Sequence, residues 1–356
     1  MAKENYPCLL LLNDLHVGKE NIPEFTANWN EALSICESMG ISEIAVGGDV
    51  FLSRAAQTLD ILLAVHDVLL LAAERGIRVT LANGNHDRVC LESERGYCHI
   101  FDQYRNVVVV NDYMTLPVGD GESVLLHLIP YFPEDGSFTE KLESVKNKGF
   151  NPTKLNFLYL HEGINGALSQ PCEKELPAKL FEGFDKVFVA HYHNRCSIPK
   201  TNIEYIGSSR QHNFGEDEEK GYTVLYNDGS HEFIRNKVNL RYKVIDVDAG
   251  DVNIHLTDLL DEMKADGRCR TKVRVHATAA QASSIQKEKL LNAGASKVEI
   301  VTEETEATEV SASGLFEKFD SRKIRDTYEE FCREKEIAEV KLGLSYLSKI
   351  DGVCGN

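Results

Sequence analysis

The sequence predicts an α/β fold, and three observations carry that prediction. Short β-branched or Leu-rich runs alternate with helical patterns over the first 240 of 356 residues. Polar motifs follow those runs directly, at the carboxyl ends of strands, where open α/β sheets bind ligands. Beyond about residue 221 the texture turns antiparallel: YTVLYNDGSHEFIRN reads as a hairpin turning at Asn227-Asp228-Gly229.

The expected strands are, in order, 8–12 (CLLLL), 43–47 (EIAVG), 78–82 (RVTLA), 123–129 (SVLLHLI), 156–160 (NFLYL), 186–190 (KVFVA) and 203–207 (IEYIG). Helical stretches separate the early ones. The clearest spans 57–74 and closes on the stop Arg75-Gly76. At this length two or three domains are expected. Residues 1–240 are expected to form one domain and 241–305 a small β-α-β-α-β unit, with strands YKVIDV, KVRVHA and KVEIV and helices LTDLLDEMK and 279–292. Residues 306–356 are expected to form a linker and C-terminal helices, with Asp320 a candidate cap for a helix presenting Ile324, Tyr328 and Phe331.

Composition narrows the function classes. Hydrophobic content of 42% and charged content of 27% are those of a water-soluble globular chain. No apolar run approaches membrane-spanning length, since His66 and Asp67 break the Leu-rich stretch 61–73. Nine cysteines, never spaced as CxxC, argue against a disulfide framework or zinc finger and for a reducing, cytoplasmic setting. The net charge of −17 opposes nucleic-acid binding unless bound cations or a basic partner offset it.

Five motifs end the strands: Asn13-Asp14-Leu15-His16, Gly47-Gly48-Asp49, Gly84-Asn85-His86-Asp87, His161-Glu162-Gly163, and His191 with His193. Taken singly, each is an ordinary loop or turn, and a lone HxH is more often one core and one surface histidine. Five such accidents at five strand ends are a poor explanation. On an extended backbone positions i and i+2 face the same side, so His191 and His193 can address one site. Carboxylates mixed with imidazoles suit manganese, iron or zinc better than magnesium or calcium. Two such ions about 3.5–4 Å apart can clamp the attacking and leaving oxygens of a phosphoryl displacement.

In order, DLH, GGD, GNHD, H and HxH resemble the five-motif signature of the calcineurin-like metallophosphoesterases over residues 14–193. The stretch YIGSSRQHNFGEDEEKGY (205–222) is similar to the Y-x-G-S … E … K-G segment of the SbcD nucleases, the nuclease subunits of the SbcC–SbcD recombination and repair complex. The resemblance implies an α/β/β/α sandwich followed by a small capping domain. It implies one metal among Asp14, His16, Asp49 and His193, and a second among Asp49, Asn85, His161 and His191. The pair is expected to be Mn2+. His86 would steady the scissile phosphate and protonate the leaving oxygen, with Asp87 orienting it; Tyr205, Gly207, Ser208 and His212 would bind substrate. The implied partners are DNA and an SbcC-like coiled-coil ATPase, a homodimer is compatible with it, and no membrane is involved.

Two departures stand out. The fifth motif usually opens with Gly, here Ala190, whose methyl could crowd the site. Leu52 stands where many members carry Asp or His after the second-motif Phe. The competing readings are a phosphoesterase on a small phosphodiester or nucleotide, which the −17 charge favours, and a non-catalytic scaffold, which the full ligand set opposes. No GxxxxGK[ST] occurs, so ATP binding would belong to the partner.

Overall fold

The computed structural model describes residues 4–90, 93, 95–120, 123–133, 136–168, 175–250, 260–261 and 267–302, with 328, 332, 333, 340 and 341. The expected C-terminal helices and most of the expected helix 256–264 lie outside the described residues. The chain falls into two compact units, Met1–Lys243 with Met263–Arg270 and Val244–Glu262 with Thr271–Asn356.

In the first unit the chain forms β1 (Pro7–Leu12), α1 (Ile22–Met39), β2 (Glu43–Val46), α2 (Leu59–Glu74), β3 (Arg78–Ala82) and β4 (Val107–Val110). Next come β5 (Met114–Val118), β6 (Val124–Ile129), α3 (Ser137–Ser144), β7 (Leu155–His161), β8 (Lys186–Ala190), β9 (Cys196–Ser197) and β10 (Ile203–Tyr205). The hairpin β11 (Gly221–Tyr226) and β12 (His231–Arg235) completes it, turning where expected with Gly229 at φ +88°.

Two six-stranded sheets result, ordered β12-β11-β1-β2-β3-β4 and β5-β6-β7-β8-β10-β9. Strands β1 to β4 run parallel, as do β6, β7, β8 and β10. The central strands are apolar throughout because each face enters a different core. Leu10 and Leu12 of β1 pack with α1 and α2, while Leu9 and Leu11 fill the space between the sheets. In β7, Phe157 and Tyr159 point between the sheets and Leu158 and Leu160 point outward, where α3 covers them through Phe138 and Leu142. The period-2 alternation of a strand thus builds four layers, α/β/β/α.

Helix α1 buries Phe25, Trp29, Ala32, Leu33 and Cys36 at three- and four-residue spacing and ends at Gly40 (φ +71°). Burying Trp29 and Phe25 contributes about 1.5–3 kcal/mol each. Helix α2 starts two residues later than the sequence predicts and stops at Arg75-Gly76 as expected. Strands β4 and β5 are absent from the sequence reading. Pro117 argues against a strand, and β5 admits it because it is an edge strand.

The second unit carries β13 (Arg241–Asp248), β14 (Cys269–His276) and β15 (Lys297–Val301), with β14 and β15 parallel, around Val273, Val275, Leu290 and Ala295. The expected helix 279–292 is two short ones, Ala279–Ala282 and Lys287–Asn292. Ser283 and Ser284 turn their hydroxyls back onto the carbonyls of Ala280 (3.2 Å) and Gln281 (2.7 Å), which competes with helix continuation. Among the described residues no helix is long and apolar enough to cross a membrane, and none of the described cysteines forms a disulfide.

Candidate metal centre

The motif loops converge at the carboxyl ends of β1, β2, β3, β7 and β8, and they are held in unusual backbone conformations. Asp14 (φ 52°), His16 (43°), Asp49 (53°) and His191 (85°) all adopt left-handed φ, which costs a non-glycine residue about 1–3 kcal/mol. The surroundings enforce it: Asp14 and His16 donate their N–H groups to the carbonyls of Gly48 (3.0 Å) and Asp49 (2.9 Å). Arg210 clasps the carbonyls of Leu15 (2.8 Å) and His16 (3.2 Å). Glycine is required at two positions here. A Cβ on Gly48 would lie 2.5 Å from His161 Nδ1, and one on Gly84 2.1 Å from Asp49 Oδ1.

Two clusters form, Asp14 with His16 and His193, and Asp49 with His161 and His191, each with its ligand atoms within 4.8 Å of one another. Asp49 joins them: Oδ2 lies 3.3 Å from His161 Nε2 and 3.6 Å from His16 Nε2, while Oδ1 accepts the His86 N–H at 2.8 Å. Asn85 completes the second cluster, its Oδ1 3.1 Å from His161 Nε2 and 3.2 Å from His191 Nδ1.

The residues fit a pair of cations, because several buried groups are otherwise unsatisfied. Asp14 Oδ1 is buried without a donor, as is His16 Nδ1 without a partner, and buried polar atoms are ordinarily paired. Asn85 Oδ1 is surrounded by acceptors, with Asp49 Oδ2 also 3.3 Å away. Turned over, the amide would donate to all three and accept from Arg54; a cation among these atoms favours the oxygen facing inward. The Nε2 atoms of His16 and His193 face each other at 3.0 Å, two lone pairs opposed unless a proton or a cation lies between them.

Electrostatics agree. Burial lowers His16 and His191 to about 3, so both rings are neutral and ligand-ready. Burial pushes His161 down too, but the Asp49 carboxylate outweighs it and raises the ring to about 10. His161 Nδ1 meets the Gly47 carbonyl at 3.0 Å, so the additional proton sits on Nε2, where a cation would act.

Other expected residues take different places. His86 is oriented by the Leu52 carbonyl (Nδ1 at 2.7 Å), not by Asp87, and its ring edge meets His16. Asp87 is buried and accepts from the N–H groups of Gly84 (2.7 Å), Phe51 (2.9 Å) and Val50 (3.2 Å), which ties the second motif to the third. Tyr205, Gly207 and Ser208, expected to contact substrate, are buried and make hydrogen bonds within the protein. Tyr205 Oη donates to the Glu162 carbonyl (2.9 Å) and accepts from Ile164 N–H (2.8 Å). The Gly207 carbonyl accepts from Asn13 (3.2 Å), and Ser208 Oγ donates to the Arg210 carbonyl (2.8 Å). His212 Nε2 donates to the Asp14 carbonyl at 2.8 Å, and its ring packs on His16 and His193. Cys196 gains no thiolate character, since burial raises its thiol.

Ala190 does not crowd the site: it is fully buried between the sheets with Tyr159 and Phe188. Leu52 offers only its carbonyl, its side chain being half exposed. Residue-type reasoning missed Arg54, beside Asn85, and Glu216, which accepts from His193 Nδ1 at 2.8 Å. The glutamate of the 205–222 stretch was the available signal for Glu216. A cavity of about 490 Å³ opens beside His191 and His193, lined by Leu168, Tyr192, Cys196 and Asn213 among others.

The four-layer fold, the motif order and the paired clusters are similar to those of metallophosphoesterases. No family profile matches it. The SbcD component of nuclease SbcCD from Staphylococcus saprophyticus is 24% identical over 208 residues, 51% of this chain and 54% of that protein. Putative phosphoesterase 244L of invertebrate iridescent virus 6 is 27% identical over 149 residues, 41% of this chain and 50% of that protein. The chain thus spans about half the length of the curated relatives it matches. Among solved structures, the nuclease MPE of Pseudomonas putida is 18% identical with a TM-score of 0.27, covering 52% of this chain and 62% of that one. A dimetal phosphatase from Danio rerio is 9% identical with a TM-score of 0.37, covering 55% and 85%.

Proposed function

We propose that the protein is a two-metal phosphodiesterase that cleaves DNA, at duplex ends or within single strands, as the nuclease subunit of an SbcC–SbcD-like complex. One observation carries the reading: a single buried carboxylate, Asp49, is shared between two histidine clusters. Asp14, His16, Asp49 and His193 would hold one cation, and Asp49, Asn85, His161 and His191 the other, with Mn2+ the matching ion for imidazole mixed with carboxylate. Two divalent cations supply the Lewis acidity for activating water and stabilising an in-line phosphoryl displacement.

The chain's own residues do the rest. His86 gives Nδ1 to the Leu52 carbonyl and so presents Nε2 to hold and pass a proton to the leaving oxygen. The layers beneath the site, closed by Tyr159 and Asn13 (2.9 Å), exclude water from the floor. Residues 1–240 would carry the chemistry, 241–305 would form a separate small domain, and 306–356 would dock an SbcC-like ATPase in the cytoplasm. The staphylococcal SbcD relative and the 205–222 stretch support this assignment.

A second reading, hydrolysis of a small phosphodiester without a partner, is favoured by the net charge of −17. The test is wild type against Asp49→Ala on linear duplex DNA and on bis(p-nitrophenyl) phosphate, with Mn2+. The expected outcome is DNA cleavage that falls more than about 100-fold in the variant, beyond the 10–100-fold typical of outer-shell changes. Wild type that hydrolyses the small diester but leaves DNA intact, with or without an SbcC-like protein, establishes the second reading instead.

A further inference from the structure

We propose that Glu216 is a positioning residue for His193, and that it sets the affinity of the cation cluster formed by Asp14, His16, Asp49 and His193. This rests on the two-metal reading above and adds to it a group outside the ligand set. Glu216 lies on the loop before β11, and its side chain is only 7% exposed. Four donors surround its carboxylate. Oε1 accepts from His193 Nδ1 (2.8 Å) and Asn213 Nδ2 (2.8 Å). Oε2 accepts from the His212 N–H (3.1 Å), with Lys220 Nζ 3.6 Å away. Both carboxylate oxygens thus serve as acceptors, and the ring of His193 is one of their fixed donors.

The consequence is a fixed tautomer. With Nδ1–H committed to Glu216, the His193 lone pair is on Nε2, the atom that faces His16 Nε2 at 3.0 Å. The same loop also grips the His193 backbone: its carbonyl accepts from Lys220 Nζ (2.6 Å) and from the Ser208 N–H (3.0 Å). Ring and main chain of this one ligand are therefore held from residues 208–220. Lys220 sits close enough to balance the Glu216 charge, so the carboxylate orients the ring without leaving an unpaired anion at the wall. In the opposite cluster His161 Nδ1 is held instead by the Gly47 carbonyl.

The test is isothermal titration of the metal-free full-length protein with Mn2+, comparing wild type, Glu216→Ala and Glu216→Gln. His16→Ala identifies which of two binding events belongs to the first cluster. The expected result is two events in wild type, the first-cluster event weakened about 10–100-fold in Glu216→Ala and the other unchanged within about twofold. Glu216→Gln, which keeps an acceptor toward His193, recovers part of that loss. Loss of affinity at neither cluster, or equal loss at both, overturns the proposal, the second by making Glu216 a general structural residue. Wild type that binds fewer than two Mn2+ overturns the two-metal reading itself, a separate outcome.

Discussion

The two halves of the metal centre use the same ligand chemistry and are built on different supports. The second half, Asp49 with Asn85, His161 and His191, is fastened to main chain: His161 to the Gly47 carbonyl, Asp49 Oδ1 to the His86 N–H. The first half, Asp14 with His16 and His193, adds side-chain supports to its main-chain bonds with Gly48 and Asp49: Glu216 on the His193 ring, His212 on the Asp14 carbonyl, Arg210 on the carbonyls of Leu15 and His16. Main-chain support is insensitive to residue identity, whereas side-chain support can be lost by one substitution. The added side-chain supports make the first half the one whose affinity a single substitution outside the ligand set can tune.

The largest effect should come from cutting the main-chain frame. Asp87 pairs three buried N–H groups across the second and third motifs. Leaving a buried donor unpaired costs about 1–3 kcal/mol, so Asp87→Ala should lose at least about 3 kcal/mol in denaturant unfolding. Its Mn2+ titration should show greater weakening of the second event than of the first. Equal weakening of both would erase the distinction drawn between the halves.

A smaller effect is a pH dependence, read most directly in the second half. His161, which burial pushes down, is held protonated up to about 10 by Asp49, and His193 is raised against its burial by the hydrogen bond to Glu216, whereas His191 and His16, at about 3, carry no second ring proton at neutral pH. A ligand must shed its proton to bind metal, so a folded-state pKa above the working pH makes affinity rise with pH until that value is passed. Second-cluster affinity should climb about tenfold per pH unit between pH 7 and 9, about 1.4 kcal/mol per unit. Titrations in two buffers of different ionisation enthalpy should count about one proton released with this cation. A pH-independent second event would show that the His161 proton is not where the cation binds.

The sequence made the candidate ligands legible because strand ends and Gly-rich turns are patterns of residue type, although His191 and His193 do not share an extended strand: β8 ends at Ala190 and His191 has φ 85°. It also made the core strands legible, since continuous apolar runs need two buried faces, as Leu9 to Leu12 have. What escaped was pairing through backbone groups, which leaves no trace in residue identity. The Leu52 carbonyl took the role expected of Asp87, and Asp87 spent its charge on three amides. Tyr205 and Ser208 lie in a family-like stretch, yet their hydroxyls are consumed in the wall behind the site. The break at 283–286 escaped for a related reason: serine hydroxyls returning to carbonyls compete with a helix that periodicity alone would continue.

Ala190 supplies the smallest effect and a check on where the site ends. By motif it departs from the usual glycine, and by geometry its methyl belongs to the inter-sheet core beside Tyr159 and Phe188, opposite His161 in the β7–β8 pairing. Ala190→Gly removes one buried methyl, about 0.8 kcal/mol, and adds the strand-interior cost of glycine, about 0.5–1 kcal/mol. Unfolding should become easier by about 1–2 kcal/mol, while both Mn2+ affinities and the rate on the small diester stay within about twofold of wild type. A gain in activity would mean that the methyl presses on His191 or His161 after all. The departure from the motif would then tune catalysis, and the rigid second half would owe part of its geometry to a side chain.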